Sequence, residues 1–242
     1  ETDKLLRVER LPMTKEDKRI AMQQYGIAIL GIGLIYVMLT TMRDFRDNFS
    51  VEIWNEIDRH WSKSVLTITE MISGIVVLIA IGSLSLIRNN IRGFWATHGL
   101  IAIGLMLSGV STLLFQLNIL SPFWWMLLVG VGMFLAYMPI QMVFFDRMIA
   151  LFKIKANAGF FVYICDSAGY LGSVLLLIYK QFFMKDLSWS RVLMNFTYML
   201  TVVSLILLVF ISIFFNRKIG VKGPITGILD RKTYLYGVNN AE

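Results

Sequence analysis

Residues 93–145 read GFWATHGLIAIGLMLSGVSTLLFQLNILSPFWWMLLVGVGMFLAYMPIQMVFF, 53 residues without a charged side chain. About 20 apolar residues are enough for a helix to cross the roughly 30 Å of hydrocarbon in a bilayer. The stretch is therefore too long for one membrane span. Pro122 suits the first turn of a new helix and marks the break. The stretch thus predicts two consecutive spans, 96–117 and 122–151.

Four more apolar stretches have the length of a membrane span. They are residues 20–42, 64–87, 157–183 and 189–216. The whole chain is 57% apolar and 16% charged, against about 45–50% and about 25% in soluble domains. We therefore predict an all-α integral membrane protein: a cytoplasmic arm (1–19), a domain of six transmembrane helices (20–216) and a cytoplasmic tail (217–242).

The basic residues predict the orientation of these spans. Of the 23 Lys and Arg residues, 16 lie in the two terminal segments and in the connections after the second and fourth spans, which are on the same side of the membrane. The other 7 lie in the connections after the first and fifth spans, on the opposite side. Because cytoplasmic loops carry the excess of Lys and Arg, both termini are expected in the cytoplasm. The net charge of +7 is thus explained by topology, and no nucleic-acid partner is predicted.

The charged residues within or beside the spans repeat after three helices. In each triplet, the first helix ends in a charged cluster and the second helix carries an acid. The clusters are Arg43/Asp44 and Asp146/Arg147, and the acids are Glu70 and Asp166. This pattern predicts a 3+3 inverted repeat, as in many transporters. The clusters are candidate outer and inner gates, or else interfacial charges that reach water.

Polar and aromatic residues recur near the two acids at helical spacing. They are Tyr36, Thr40, Tyr137, Gln141, Tyr163 and Tyr170. We expect them, with Glu70 and Asp166, to line a cavity that binds substrate or protons. The alternative is that they hydrogen-bond between packed helices. Carboxylates inside a bilayer are costly and usually functional. Neither acid has an evident Lys or Arg partner within the six spans, so each is expected to be protonated in one state or to pair outside this domain.

Three local patterns predict smaller features. The sequence Thr14-x-x-Asp17 predicts a helix start that runs on into the first span. Pro139 predicts a kink in the fourth span. In the loop 48–63, apolar residues recur at helical spacing, which predicts a short helix in the outer interface or a cap packed on the spans.

Sequence motifs for enzymes are absent. His60 and His98 are the only histidines, and no H-E-x-x-H, G-x-S-x-G or phosphate-binding loop occurs. Cys165 is the single cysteine. We therefore predict neither an enzyme nor a cofactor, and no metal site.

The layout of six spans with both ends cytoplasmic resembles one half of a major facilitator superfamily transporter. The run Gly82-Ser83-Leu84-Ser85-Leu86-Ile87-Arg88-Asn89-Asn90-Ile91-Arg92 is similar to the G-x-L-x-D-R-x-G-R loop of that superfamily. The run Arg43-Asp44-Phe45-Arg46-Asp47 and the long outer loop look like an uncharacterised bacterial branch. Because C-terminal halves carry weaker copies of the loop motif, and because the chain starts at Glu1, the resemblance is to a C-terminal half. It implies that residues 1–19 are the end of the central cytoplasmic loop.

This resemblance implies a function and partners. It implies that spans one, two, four and five line a cavity while spans three and six face lipid, so Thr197 and Ser204 of the sixth span are expected to face lipid. We expect a secondary active transporter of a small polar solute that works by alternating access, with protons as the candidate coupling ion. The alternative is a non-transporting membrane sensor or assembly subunit. Expected partners are the lipid bilayer of a bacterial inner membrane and an N-terminal six-helix half or second chain.

Overall fold

The computed structural model describes residues 14–154, 156–183 and 188–222. Across these residues, six helices are long and apolar enough to cross a membrane. In chain order they are Lys15–Asn48, Ser64–Ser85, Asn90–Gln116, Pro122–Phe152, Ala158–Phe183 and Trp189–Lys222. They are called the first to sixth spans below. The prediction of six helical spans is confirmed, and the chain has the character of a multi-pass membrane protein.

Three of the spans extend by several residues beyond their predicted bounds, and the third span does so because it begins at Asn90 rather than at residue 96. The first begins at Lys15 because Thr14 and Asp17 form a capping box: the Asp17 N–H donates to Thr14 Oγ1 at 3.1 Å, and the Thr14 N–H donates to Asp17 Oδ2 at 3.0 Å. Residues 15–19 of the predicted arm thus belong to this helix, and residues 1–13 lie outside the described residues. The sixth span continues to Lys222, and residues 223–242 of the predicted tail also lie outside.

Pro139 changes the helical geometry of the fourth span. The span begins at Pro122, as predicted, and residues Ile140–Phe144 form a π-helical segment directly after Pro139. Proline has no N–H to donate and its ring clashes with the carbonyl four residues earlier, so the regular pattern is interrupted here. Such π segments are frequent at functional sites.

The first and fourth spans form the centre of the bundle. In each of them 67% of the apolar stretch is buried, against 17% in the second span and 22% in the fifth. The first span packs on the fifth and sixth, the fourth packs on the second and third, and the third also packs on the sixth. The second and fifth spans therefore stand at the edges of the bundle and expose long apolar faces.

Small residues allow the third and fourth spans to approach closely. A Cβ atom added to Gly104 would collide with the Gly132 carbonyl oxygen and lie 2.6 Å from the Ala136 nitrogen. Only glycine fits at this crossing, as the spacing of Gly104 and Ser108 suggests. Thr197 and Ser204, expected to face lipid, are instead fully buried. That expectation is wrong, because the sixth span turns its small polar side toward the first and third spans.

The connection between the first and second spans, predicted as an outer loop, contains a short helix, Ser50–Ile57, that packs on the bundle. Ile53 and Trp54 on this helix are buried. Glu56 caps the sixth span: its carboxylate accepts from the backbone N–H groups of Trp189 at 2.9 Å and Ser190 at 2.8 Å, and from the Ser190 hydroxyl at 2.7 Å. The helix thus fits the packed-cap alternative rather than a helix lying free in the interface.

Candidate functional site

Two tyrosines meet where the first and fourth spans touch. Tyr36 and Tyr137 stack with their ring centroids 4.9 Å apart and their planes at 28°. Their hydroxyl oxygens are 2.9 Å apart, and both side chains are buried. A buried tyrosine hydroxyl needs a hydrogen-bond partner, so this pair forms the centre of a polar network within the apolar core.

The network runs in one direction from an arginine to a carboxylate. The Tyr36 hydroxyl donates to Asp166 Oδ1. Since Tyr36 has only one proton to donate, the Tyr137 hydroxyl supplies the proton of the bond between the two tyrosines. Arg43 Nη1 in turn donates to the Tyr137 oxygen at 2.6 Å. Three spans therefore contribute to a continuous path of donors that ends at Asp166.

The Arg43 end of this path is an ion pair. Arg43 Nη2 lies 2.8 Å from Asp44 Oδ1, and its Cζ lies 4.9 Å from the centre of the Tyr137 ring. Asp44 Oδ2 accepts from the Ser173 hydroxyl on the fifth span at 2.7 Å. Arg43 and Asp44 are each 19% exposed, so the predicted outer-gate residues form a largely buried link between the first, fourth and fifth spans.

Glu70 belongs to a second cluster, formed around Arg46. Arg46 is 2% exposed, and its Nη2 lies 2.6 Å from Glu70 Oε1 while its Nη1 lies 3.4 Å from Asp47 Oδ1. A Cβ atom on Gly130 of the fourth span would lie 2.8 Å from Arg46 Nη2, so this glycine makes room for the guanidinium. The expectation that Glu70 lacks a basic partner in this domain is therefore wrong, because packing brings Arg46 to it from the preceding span.

Asp166 differs from Glu70 in its charge balance. Among the described residues, Asp166 forms no ion pair with a Lys or Arg side chain. The two clusters together hold two arginines and four carboxylates, namely Arg43, Arg46, Asp44, Asp47, Glu70 and Asp166. If all are ionised, two negative charges are in excess. This environment favours protons or other cations over anions.

Four of the predicted binding residues lie outside both polar clusters. Thr40 donates to the Tyr36 carbonyl of its own helix at 2.9 Å. Gln141 lies in the π-helical segment, partly buried. Tyr163 and Tyr170 are 74% and 58% exposed on the fifth span. The structure thus brings together Tyr36, Tyr137, Asp166, Arg43 and Asp44, and it places these four beside or outside that set.

The predicted inner-gate residues do not pair with each other. Arg147 instead holds the connection between the second and third spans: its Nη2 lies 2.9 Å from the Ile87 carbonyl, and its Nη1 lies 3.0 Å from Asn90 Oδ1. Asp146 is exposed. Both line a cleft of about 310 Å³ between the second and fourth spans, with Ile81, Leu84, Ser85, Met142 and Val143. Arg147 thus anchors the run Gly82–Arg92 to the fourth span.

Comparison with protein families gives one match. Residues 1–218 match the family described as Family of unknown function (DUF5690). The chain belongs to this family. No curated protein and no solved structure is significantly similar to it. The matched region of this DUF5690 chain includes every residue of the two polar clusters.

Three contributors to these clusters were not among the predicted site residues. One of them, Asp47, lies 3.4 Å from Arg46 Nη1. Arg46 forms the ion pair with Glu70, and Ser173 contacts Asp44. The available signal for Arg46 was its position one turn after Arg43 in a long apolar helix, where an arginine requires a partner. Within the described part of the chain, no group of three or more His, Cys, Asp or Glu side chains is placed to hold a metal ion.

Proposed function

We propose that this DUF5690 chain is a six-helix unit of a secondary active transporter that works by alternating access, with protons as the coupling ion and a small polar solute as substrate. The observation that carries the proposal is the buried path from Arg43 through Tyr137 and Tyr36 to Asp166. It ends at a carboxylate that no Lys or Arg among the described residues neutralises. An ionised carboxylate is costly at such a position, so gain and loss of a proton change its energy strongly.

The pattern of neighbouring spans supports a 3+3 inverted repeat. In such a repeat the first, second and third spans correspond to the fourth, fifth and sixth. The contact between the first and fifth spans then corresponds to the contact between the fourth and second, and the contact between the third and fourth corresponds to that between the sixth and first. The first–fourth and third–sixth contacts map onto themselves. This symmetry agrees with the resemblance to a C-terminal half of a major facilitator superfamily transporter. In that architecture, the exposed faces of the second and fifth spans border a cavity completed by an N-terminal half or a second chain.

The proposed setting is a bacterial inner membrane with both ends of this segment in the cytoplasm. It rests on the excess of Lys and Arg on the side of the two ends. In this orientation the Arg43/Asp44 pair lies toward the outside and Arg147 toward the inside. Arg43 then contacts the middle of the fourth span through Tyr137, and Arg147 lies near its inner end, with the π-helical segment between the two contacts.

The test replaces Asp166 by asparagine. The purified full chain is inserted into vesicles that contain a pH-sensitive dye, and proton movement is followed while amines, amino acids, sugars and carboxylates are added in turn. Asp166→Asn keeps the size of the side chain but cannot bind and release a proton. We expect solute-driven proton movement to fall at least tenfold, while the unfolding temperature stays the same or rises, because the desolvation cost of the charge is removed.

Glu52→Gln is the matched control, since Glu52 is an exposed acid on the short outer helix. Its proton movement should equal that of the wild type. Equal rates for Asp166→Asn and the wild type would refute the proposal, as would the absence of solute-driven proton movement in wild-type vesicles that contain correctly inserted protein.

One observation favours a second candidate, a membrane sensor or assembly subunit that does not transport. The Arg43–Asp44 and Arg46–Glu70 pairs are satisfied within this chain, as expected of charges that hold helices in a fixed arrangement. Under this alternative, Asp166→Asn alters the stability of the protein, and neither the variant nor the wild type shows solute-driven proton movement.

A further inference from the structure

One face of the fifth span presents a carboxylate between two exposed aromatic rings. Tyr163, Asp166 and Tyr170 follow each other at intervals of three and four residues and so share one helix face. The two tyrosines are 74% and 58% exposed, and Asp166 is partly buried. Large aromatic side chains this open on a helix at the edge of the bundle are available to a ligand.

Asp166 has only one of its oxygens occupied. Oδ1 accepts from Tyr36, whereas Oδ2 has no hydrogen bond or ion pair with any described residue. Tyr36 therefore holds the carboxylate in place from the core side and leaves its second oxygen for another donor. While Asp166 is ionised, a cationic donor at this oxygen balances its charge.

The two tyrosines lie on either side of Asp166 along the helix axis, close enough to contact a ligand bound at its Oδ2. At about 1.5 Å per residue, Tyr163 lies roughly 4.5 Å from Asp166 toward the N-terminus of the helix, and Tyr170 lies roughly 6 Å from it toward the C-terminus. Helical side chains lean toward the N-terminus of their helix, so the Tyr170 ring leans toward Asp166. A carboxylate flanked by aromatic rings is the arrangement that recognises ammonium groups, through charge and through cation–π attraction.

We propose that Asp166, Tyr163 and Tyr170 form a binding site for an organic cation, a protonated or quaternary ammonium compound whose charged nitrogen lies against Asp166 Oδ2. The inference rests on the proposed function, because it names the class of solute that the transporter carries. The excess of two carboxylates over arginines in the two polar clusters, Asp166 included, disfavours an anionic solute. A neutral solute would leave Asp166 without a counter-charge.

The test measures binding rather than transport. Choline, tetraethylammonium and benzyltrimethylammonium are titrated against the purified full chain in detergent at pH 8, with uncharged isosteres such as 3,3-dimethylbutan-1-ol as reference ligands. We expect at least one cation to bind and to raise the unfolding temperature, whereas its isostere has no effect. Asp166→Asn should weaken that binding more than tenfold. Tyr163→Leu and Tyr170→Leu should each weaken it about fivefold, the size expected for one cation–π contact.

Two control variants separate the site from general effects. Tyr179→Leu removes an exposed tyrosine nine residues after Tyr170, on the opposite face of the same helix, and Glu52→Gln removes an exposed acid elsewhere. Both should bind the cation like the wild type. Equal protection by cations and isosteres, or equal binding by Asp166→Asn and the wild type, would overturn the inference.

The binding experiment and the transport experiment can fail separately. Cation binding in a chain that moves no protons would support this site and refute the proposed transport. Proton movement driven only by sugars or carboxylates, with no cation bound, would support transport and refute the organic-cation site.

Discussion

The ion pair between Arg46 and Glu70 offers a stringent test of the packing, because the chain contains a matched pair in a different environment. Arg46 is 2% exposed and Glu70 is 47% exposed, with 2.6 Å between Nη2 and Oε1. Arg19 and Glu16 lie 2.8 Å apart but are 65% and 59% exposed. The chemistry and the distance are nearly the same, so a difference in coupling energy reports the buried setting of Arg46 between two spans against the exposed surface of one helix.

The expected magnitude follows from what each substitution leaves behind. Glu70→Gln leaves a buried guanidinium with Asp47 and the Met126 carbonyl, both at 3.4 Å. Loss of one partner from a fully buried pair costs about 3–5 kcal/mol. Because Glu70 is half-exposed, we expect about 2 kcal/mol. Arg46→Met keeps the unbranched apolar stem of the side chain and removes the buried charge, so the double variant should be little worse than Arg46→Met alone.

The measurement is a double-mutant cycle on the free energy of unfolding, obtained by titration with denaturing detergent and followed by helical circular dichroism. We expect a coupling energy of about 2 kcal/mol for Arg46–Glu70. The Arg19→Met/Glu16→Gln cycle should give at most about 0.5 kcal/mol. Equal coupling energies in the two cycles, or less than about 0.5 kcal/mol for Arg46–Glu70, would refute the buried ion pair.

Two further predictions concern helix packing and the outer cap. Gly104→Ala should destabilise the protein by about 3 kcal/mol, because its Cβ collides with backbone of the fourth span. Gly74→Ala has open space around its Cβ and should be neutral or stabilising in the same unfolding measurement; equal losses would contradict the helix crossing. For the cap, burial opposes ionisation of Glu56, but hydrogen bonds from Ser190 and Trp189 outweigh it and lower the pKa of Glu56 from its ordinary 4.5. The stabilisation by ionised Glu56 is therefore complete above about pH 4.5 and is lost as the pH falls through the lowered pKa. Glu56→Gln should accordingly lose less stability than the wild type between pH 6 and pH 3. Parallel curves of stability against pH for the two proteins would exclude the cap.

The amino-acid sequence determined the number, type and approximate ends of the spans. Each apolar stretch is long enough to span a bilayer, and inside a bilayer the backbone must satisfy its own hydrogen bonds, which leaves a helix as the solution for such a segment. The starts at Thr14 and Pro122 were also predictable, since capping and proline geometry act over only a few residues. The ends at Asn48 and Lys222 were not. The first span continues into charged sequence because Phe45 and Arg46 are buried there.

The partners of the intramembrane charges were decided by the tertiary structure. Helical spacing placed Tyr36 and Tyr137 on polar faces, but only the meeting of the first and fourth spans joined their hydroxyls. Residues 24 apart on different helices, such as Arg46 and Glu70, have no spacing that signals their contact. Local periodicity reports which side of a helix is polar, while the choice of neighbour depends on how all six helices fill space together, with glycines at the tightest crossings.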